Sequence, residues 1–454
     1  MMSLPCFVAL FLSLAAFAQP PDTAWTYTYA SSINDKAFCI VPTADGELLV
    51  GGIGRAPDST NGGLVIRLST QGSELWIQRY IYGIRDISML QSGFAFVSFT
   101  DNHIEVAKSD DAGLVVWSQH ISSLWAPGRS ICAPSDGGLA VLGVDDLPFN
   151  ILLVKLNANG DSIWAQDFGG ESGFAMGQVA VTSDAGFVVC SSEDEQCYVA
   201  KLDSGGFIEW STTFGSPDLS EYLSDVTVTT EGDYVVCGAQ LRSIWGSFNP
   251  FAARISTDGD TIWTRVYPEL GPGWLYSAIT IQDSLIVMGG TSGFDYVAMI
   301  VNPNGDTVWT GLYGTAVTDA GMTMCRTPDD GLALAGYKHT IASQSEDIWV
   351  VQTESANLQF TTPHLNPSAL GVITCYPNPF NGSTQIGFSL RSPSWVNLSV
   401  YDICGHLVRT VINSPMNVGE HKIVFLGQAL PSGFYFYQFL EEHQAVSGRM
   451  LLLK

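Results

Sequence analysis

The seven histidines of this sequence are scattered along the chain. No two of them have the H-E-x-x-H or His-x-His spacing with which chains commonly present zinc ligands. The sequence also has no G-x-S-x-G motif, no Walker loop and no Cys-x-x-Cys pair. We therefore expect no catalytic site, no metal and no cofactor, and we predict that the protein is not an enzyme. The seven histidines are His103, His120, His339, His364, His406, His421 and His443.

Carboxylates between strand-like segments are the second group of reactive side chains. Grouped at one face of a fold they could bind calcium or act as an acid–base pair, but their spacing does not match an EF-hand. We interpret them as solvated acids that keep an apolar protein in solution. They are Asp101, Asp145, Asp146, Asp194 and Glu195.

Aromatic residues form the third group. Several lie in or near variable segments, and loops on a rigid scaffold commonly bind ligands. Packing inside the protein is the favoured interpretation, and the alternative is a face that stacks on sugar rings or anchors a protein partner. These residues are Tyr82, Trp125, Phe149, Trp245, Phe248, Phe251 and Trp274.

The composition limits the partners that the chain can have. Of its 454 residues 46% are hydrophobic and 14% are charged, which is typical of a folded protein with a large core. The formal net charge of -25 repels the phosphates of nucleic acids and the headgroups of anionic lipids. Nucleic-acid binding and electrostatic docking on a membrane are thereby excluded.

A repeat of roughly 47 residues organises most of the chain. Its first strand has a D-G-x pattern in seven copies, from DGELLVGG at 45–52 to DGLALAG at 330–336. A second strand, a tight Asn-Gly or Asp-Gly turn and a strand that begins with Trp follow, as in ILLVKLNANGDSIW at 151–164. Short β-rich runs bounded by Gly, Asn and Asp favour strands, so each repeat is predicted to be an antiparallel sheet of about four strands.

Sheets of this size cannot bury both faces alone, whereas sheets arranged radially cover one another and leave only short edges. The sequence therefore predicts an all-β fold in which residues 19–360 form a seven-bladed β-propeller, with six or eight blades left open. The strand at 25–30 has no D-G strand before it, so we expect it to complete the last blade and close the ring. The repeated tryptophans are expected to wedge between neighbouring blades. They are Trp25, Trp76, Trp117, Trp164, Trp210, Trp263 and Trp309.

The turn followed by Trp resembles the tryptophan-docking repeats of quinoprotein dehydrogenase propellers. The resemblance covers only the turn and the tryptophan, and the sequence lacks the adjacent Cys-Cys pair that such enzymes often carry beside the quinone. A propeller enzyme, either a hydrolase or a quinoprotein-like dehydrogenase acting on an extracellular substrate, is therefore kept as the alternative to a binding protein.

Residues 1–18, MMSLPCFVALFLSLAAFA, contain an apolar run and end on Ala-Phe-Ala, which is typical of a secretory signal peptide. No later stretch reaches about 18 apolar residues, so no transmembrane segment is expected. Among the later cysteines, Cys190 and Cys197 flank a hairpin-like SSEDEQ and are the pair for which a disulfide is considered. The other cysteines fit strand patterns as small buried residues.

The pattern changes after Phe360. Residues 361–371 contain two prolines and predict a short linker. Residues 372–454 hold five basic and four acidic side chains, so the negative charge belongs to the propeller. Alternating runs such as WVNLSVYD at 395–402 and GFYFYQF at 433–439 predict a C-terminal β-sandwich.

Five motifs follow one another in this last segment: YPNPFNGSTQIGFSL at 376–390, VNLSVYDICGHLVRTV at 396–411, GEHKIVF at 419–425, LPSGFYFYQF at 430–439 and a terminal GRMLLLK. In this order they resemble the type A C-terminal sorting domain of the type IX secretion system. The resemblance implies an Ig-like sandwich that the secretion machinery recognises and exports across an outer membrane. The motif residues are Tyr376, Pro377, Asn378, Pro379, Phe380, Asn381, Tyr401, Asp402, Gly405, Gly433, Tyr435 and Lys454.

The predicted signal peptide, sorting domain and propeller together indicate a function. We expect a secreted or cell-surface protein of a Gram-negative-type bacterium, on the outer side of its outer membrane. Its propeller is predicted to bind or adhere to an extracellular protein or glycan. The expected organisation is a signal peptide at 1–18, the propeller at 19–360, a linker at 361–371 and the sorting domain at 372–454.

Overall fold

The computed structural model describes the chain from Thr23 to Lys454 except for residues 32–33, 56–60, 100–102, 122–127, 145–150, 169–176, 194, 217–218, 242–246, 282–284, 316–317, 341–344, 355–373, 377, 379, 391–393, 402–406, 428–429 and 442–443. The predicted signal peptide and linker lie outside the described residues. The chain divides into two compact units, one within Gln19–Leu358 and the other within Gln359–Lys454.

Seven four-stranded antiparallel sheets make up the first unit. In six of them four consecutive strands lie in chain order, so each of these sheets is one continuous segment of the chain. The blades, numbered along the chain, are blade 1 with β2 (Lys36–Pro42), β3 (Leu48–Arg55), β4 (Asn61–Leu68) and β5 (Glu74–Tyr80); blade 2 with β6 (Gly83–Met89), β7 (Phe94–Phe99), β8 (Ile104–Ser109) and β9 (Val115–His120); blade 3 with β10 (Gly128–Cys132), β11 (Leu139–Val144), β12 (Ile151–Leu156) and β13 (Ser162–Asp167); blade 4 with β14 (Gln178–Val181), β15 (Phe187–Glu193), β16 (Gln196–Leu202) and β17 (Ile208–Phe214); blade 5 with β18 (Glu221–Val228), β19 (Tyr234–Leu241), β20 (Phe248–Ile255) and β21 (Thr261–Val266); blade 6 with β22 (Gly273–Thr280), β23 (Ile286–Ser292), β24 (Asp295–Val301) and β25 (Thr307–Tyr313); and blade 7 with β26 (Asp319–Arg326), β27 (Leu332–Thr340), β28 (Ser345–Thr353) and β1 (Thr23–Tyr29).

The first strand of each blade lies innermost, and the strand with the D-G pattern is the second. The strands β2, β6, β10, β14, β18, β22 and β26 contact one another in this order, and β26 contacts β2, so the seven form a closed ring. The prediction of an all-β, seven-bladed propeller is confirmed by this ring of four-stranded sheets.

The N-terminal strand β1 completes blade 7. It pairs antiparallel with β28, with Tyr27 opposite Val350. The rings of Trp25, Tyr27 and Tyr29 pack against the core that blades 7 and 1 share. The expectation that the strand at 25–30 closes the ring is confirmed by this pairing.

Hydrophobic cores lie between neighbouring blades. Between blades 2 and 3, for example, Val97 and Val106 pack with Ile131 and Val141, and all four side chains are buried. Each blade is therefore covered on both faces, and burying both faces stabilises the ring through the hydrophobic effect. This explains why the middle strands have continuous apolar runs instead of the alternation of a strand with one solvated face.

Glycine supplies the backbone conformation at the turn before the outer strand. The φ angles of Gly160, Gly259 and Gly305 are 89°, 90° and 79°, a region that residues with a Cβ rarely adopt. In two of these turns an Asn side chain adds an Asx turn, because the Oδ1 atoms of Asn157 and Asn302 each accept the N–H groups two and four residues further on.

Two antiparallel sheets form the second unit. Their buried side chains share one core, in which the ring centroids of Phe388 and Phe439 are 4.5 Å apart, so the sheets pack as a β-sandwich. Its Ig-like character remains a prediction. The strands are β29 (Thr374–Tyr376), β30 (Ser383–Leu390) and β33 (Gly419–Leu426) in one sheet, and β32 (Leu407–Met416), β31 (Ser394–Tyr401), β34 (Gly433–Glu441) and β35 (Gln444–Leu452) in the other.

Helices play little part in the described chain. A short 3₁₀ helix at Pro268–Leu270 follows β21. Among the described residues no helix has the length and hydrophobicity needed to cross a membrane.

The disulfide considered for Cys190 and Cys197 is not formed, and that interpretation was wrong. Both cysteines lie in the β15–β16 hairpin, but Cys190 is opposite Val199 and Cys197 is opposite Ser192. Both thiols are free and buried, and burial raises the pKa of Cys190 above its usual value. They are small buried residues, as are the free cysteines Cys39, Cys237 and Cys325.

Candidate functional site

Bulges in the innermost strands direct side chains into the central channel. The pairing of β2, β6, β10, β18, β22 and β26 with the next strand shifts at an equivalent point in each blade. A β-bulge inserts one residue and changes the direction of its side chain. The inserted residues, together with Gly177 at the corresponding point of blade 4, line the channel. They are Phe38, Arg85, Arg129, Gly177, Ser224, Tyr276 and Met322.

The residue after the bulge connects neighbouring blades. In blade 2 the carboxylate of Asp86 accepts a hydrogen bond from the backbone N–H of Ile131 in blade 3 at 2.9 Å. In blade 5 the carboxylate of Asp225 accepts one from the backbone N–H of Ala278 in blade 6 at 2.7 Å. Hydrogen bonds to a charged acceptor are the stronger kind, so these two carboxyl groups join blades at the channel wall.

The buried channel shifts the pKa of its charged groups. Burial raises the pKa of Asp225 to about 7 and that of Asp86 to about 6, against the opposing effect of the backbone N–H groups that they accept. Burial also lowers the pKa of Arg85, whose guanidinium carbon lies 5.2 Å from the centre of the Phe38 ring. The channel therefore holds two carboxyl groups that titrate near neutral pH, and such groups are common at functional sites.

Four aromatic side chains, Tyr222, Phe248, Trp274 and Tyr276, form what we name the aromatic cluster beside the channel. The ring of Trp274 stacks on Tyr276, with 7° between the planes and 5.8 Å between centroids. It also stacks on Tyr222 and lies 4.9 Å from Phe248. Its Nε1 atom donates a hydrogen bond of 2.6 Å to the Oγ atom of Ser224, which lines the channel.

The aromatic cluster lies on the face of the propeller that carries the connections between blades. Tyr222, Phe248 and Trp274 stand at the starts of β18, β20 and β22, which all begin on that face because strands alternate in direction within a blade. All four rings are partly exposed. An aromatic surface next to polar channel residues is the composition typical of ligand sites.

Sequence reasoning found part of this site. It considered Phe248 and Trp274 but missed Tyr222, Tyr276 and the channel residues. The channel residues recur once in every blade, 44–52 residues apart along the chain. This spacing could have identified them, but the residue type at the position changes from blade to blade. Of the other aromatic residues considered, Phe251 is buried in the core.

The other aromatic and acidic residues singled out in the sequence that the structure describes lie outside the channel and the aromatic cluster. Tyr82 makes an edge contact with His103 at the rim of blade 2. Glu195 accepts a hydrogen bond of 2.6 Å from the hydroxyl of Ser220. Outside the described residues lie Trp125, Phe149, Trp245, Asp101, Asp145, Asp146 and Asp194.

Each repeated tryptophan from blade 1 to blade 6, and Trp25 of blade 7, was predicted to contact the next blade. For six of them the structure places the ring against the turn glycine of the next blade; a Cβ atom added to Gly72 would lie 2.5 Å from the ring of Trp25, for example. The six tryptophan and glycine contacts are Trp25–Gly72, Trp76–Gly113, Trp117–Gly160, Trp164–Gly206, Trp210–Gly259 and Trp263–Gly305.

The indole N–H groups differ in their hydrogen bonds. Trp25, Trp210 and Trp263 donate to a backbone oxygen of the adjacent turn at 2.8–3.0 Å. Trp309 is fully buried, and its Nε1 atom has no hydrogen-bond partner among the described residues. For Trp25, Trp210 and Trp263 the acceptor lies in the turn that joins the third strand of the next blade to its outer strand. Blade 7 has no such turn, because its third strand is β28 and its outer strand is β1, from the other end of the chain. The buried Nε1 atom of Trp117 also lacks a partner in the described part of the chain, for which the structure offers no reason.

In the sandwich, the Pro-Asn-Pro-Phe motif holds the last strand. The Oδ1 atom of Asn378 accepts a hydrogen bond of 2.8 Å from the N–H of Leu451. The backbone of Phe380 donates to the carbonyl of Leu451 and accepts from the N–H of Leu453, both at 2.9 Å, while its ring is buried in the core. The motif therefore fixes the C-terminal strand to the rest of the sandwich.

The Ser-Gly-x-Tyr motif lies beside the terminus. Tyr435 donates a hydrogen bond of 2.9 Å to the carbonyl of Pro431, and the N–H of Lys454 donates one of 3.0 Å to the hydroxyl of Ser432. Tyr376 lies in β29, Tyr401 in β31 and Gly433 in β34, and Asn381 is exposed in a turn. Pro377, Pro379, Asp402 and Gly405 lie outside the described residues.

Comparison with known proteins agrees with this description of the second unit. Residues 374–452 match the family described as the secretion system C-terminal sorting domain. No curated protein matches the sequence.

Solved structures with a similar fold include BamB from Moraxella catarrhalis, which is 15% identical over 74% of this chain and 100% of that chain, with a TM-score of 0.44. A puromycin hydrolase is 13% identical over 83% of this chain and 62% of that chain, with a TM-score of 0.45. The order of the motifs and the family match together show that the C-terminal part of this chain is a sorting domain of the type IX secretion system, which marks the protein for secretion.

Proposed function

We propose that the protein is a secreted or surface-displayed binding protein whose propeller holds an extracellular glycan at the mouth of its central channel. The aromatic cluster is the observation that carries the proposal. Stacked Trp and Tyr rings that remain partly exposed in a folded protein leave apolar surface available to a ligand.

A sugar matches this surface in both of its properties. Its ring presents apolar C–H groups on one face and hydroxyl groups around its edge. The exposed parts of the Trp274 and Tyr276 rings suit the C–H groups, and the polar side chains that line the adjacent channel, Ser224, Gln178 and Arg129 among them, suit the hydroxyl groups. The sorting domain supports the location, since it delivers the propeller to where glycans of other cells and of the matrix are found.

Binding to a glycan array tests the proposal. The purified full chain is screened, and the affinity for each glycan that it retains is measured for the wild type and for Trp274→Ala. We expect the substitution to weaken binding at least about tenfold, as loss of a central aromatic contact commonly does. Phe207→Ala is the matched control, because Phe207 is 74% exposed in a turn on the opposite face.

Two outcomes would contradict the proposal. Retained glycans that bind equally well to Trp274→Ala would place the site elsewhere. A parallel array of extracellular proteins that alone gives a Trp274-dependent signal would make the ligand a protein. Circular dichroism of each variant shows that the fold is retained.

An enzyme that hydrolyses an extracellular substrate is the second candidate function. It is favoured by Asp86 and Asp225, whose pKa values near neutral pH suit a general acid or base. Turnover of any retained glycan that disappears in Asp225→Asn while binding persists would favour the hydrolase. Binding without turnover in the wild type would favour the binding protein.

A further inference from the structure

Three potential metal ligands meet at the rim of blade 2, outside the central channel. They are His103, Glu105 and His120, and one ligand atom from each lies within 4.8 Å of the others. The ring centroids of the two histidines are 4.1 Å apart. In the sequence the three residues form no zinc motif, because His120 is brought beside Glu105 only by the pairing of two strands.

The β8–β9 hairpin positions these side chains. Glu105 and His120 are directly opposite each other in the antiparallel pair, so their side chains lie on the same face of the blade. Immediately beyond the pair, the N–H of Ile121 donates a 2.9 Å hydrogen bond to the carbonyl of Ile104, which holds the end of the hairpin. The ligand atoms of Glu105 and His120 are therefore carried by paired backbone, and His103 immediately precedes the first residue of β8.

A buried hydroxyl lies on the other side of Glu105. Ser98 is the cross-strand partner of Glu105 in β7, and only 1% of its surface is exposed. Its Oγ atom has no hydrogen-bond partner among the described residues. A buried hydroxyl next to a carboxylate is suited to orient that carboxylate once it binds a cation, as groups adjacent to metal ligands commonly do.

We propose that His103, Glu105 and His120 form a binding site for a divalent transition metal, with Zn²⁺ as the preferred ion. Two imidazoles and one carboxylate are a ligand set that Zn²⁺ takes in proteins, and three protein ligands leave a coordination position for water or for a donor atom of a ligand. Fe²⁺ also accepts this set, but it oxidises readily outside the cell, where the sorting domain sends the protein.

The test is metal binding by the full chain, freed of metal with a chelator. Co²⁺ is added and followed by its visible absorption, and Zn²⁺ is then added as a competitor. We expect one Co²⁺ per chain and its displacement by Zn²⁺. In His120→Gln and Glu105→Gln the affinity is expected to fall at least tenfold. His339→Gln is the matched control, because His339 lies in β27 of blade 7 and belongs to no such cluster among the described residues.

Thermal unfolding gives a second measurement. Excess Zn²⁺ is expected to raise the melting temperature of the wild type and of His339→Gln but not that of His120→Gln, since a ligand that binds the folded state stabilises it. Wild-type protein that takes up no metal would overturn the proposal. So would a folded Glu105→Gln variant, or a folded His120→Gln variant, that binds Co²⁺ as tightly as the wild type.

Discussion

Phenylalanine in place of two buried tryptophans separates the hydrogen bond of the indole from its packing. Trp263 and Trp309 occupy the same position in neighbouring blades and are 8% and 0% exposed, so Trp→Phe removes the same atoms from a similar environment. Within the described part of the chain only Trp263 has an indole hydrogen bond to lose, the 2.8 Å bond to the carbonyl of Pro303. That carbonyl keeps a hydrogen bond from Arg254 at 3.1 Å, so it is not left unsatisfied.

The expected difference follows from these partners. Trp263→Phe loses one hydrogen bond with a net worth of about 1 kcal/mol, whereas Trp309→Phe removes a buried N–H group whose unmet hydrogen bond costs at least about 1 kcal/mol. The packing loss is common to both substitutions. Trp263→Phe should therefore lower the free energy of unfolding by about 2 kcal/mol more than Trp309→Phe.

Urea unfolding followed by far-ultraviolet circular dichroism measures this difference, because the signal does not depend on the replaced indole. Equal slopes of the two transitions allow the midpoints to be compared directly. Trp117→Phe is a second variant without a hydrogen bond to lose and should behave as Trp309→Phe does. A Trp309→Phe protein as destabilised as Trp263→Phe would refute the assignment of the missing acceptor to the closure of blade 7.

Three further predictions concern the closure, the channel and the export signal. Deleting residues 19–31 removes β1, so the melting temperature should fall and the exposed edge of β28 should promote aggregation; an unchanged melting temperature would mean that β1 does not close the ring. The pKa of Asp225 is about 7 in the folded protein and 3.8 in the unfolded chain, so the folded state is favoured while this carboxyl group is protonated. The free energy of unfolding of the wild type relative to Asp225→Asn should therefore decrease by up to about 4 kcal/mol as the pH rises from about 4 to 7. Urea midpoints measured across that pH range test this. In a host with a type IX system, a reporter fused to residues 372–454 should reach the surface or medium. Asn378→Ala, which loosens the last strand, should retain more of the reporter inside, while Asn417→Ala, an exposed residue outside the motifs, should not; equal export of both variants would mean that the hydrogen bond of Asn378 is not needed for recognition.

Much of the propeller could be predicted because its sequence pattern repeats along the chain. The D-G strands, the turn glycines and the tryptophans recur in nearly the same order, so a propeller of about seven blades and its closure by the strand at 25–30 are predicted, with six and eight blades still open. The sorting domain could be recognised for a different reason, since its motif residues occur in a fixed order along the chain.

The sites could not be predicted because they depend on pairing. The channel residues are placed by bulges, and a bulge leaves no constant residue type from Phe38 to Arg85. Glu105 and His120 become neighbours only through the register of the β8–β9 hairpin. The wrong disulfide has the same cause, since the register of its hairpin sets Cys190 opposite Val199.

Closure by the first strand also makes folding depend on time and concentration. Lys338 of blade 7 donates a hydrogen bond to Thr28 of β1 across 310 residues of chain, so β1 is synthesised long before its partner strand exists. Contacts of such separation form late and slowly. During that interval the β1 of one molecule can pair with the β28 of another. The product is a domain-swapped dimer, in which two molecules exchange the same strand. The ring is therefore expected to close within one chain in dilute solution and between chains in a crowded one.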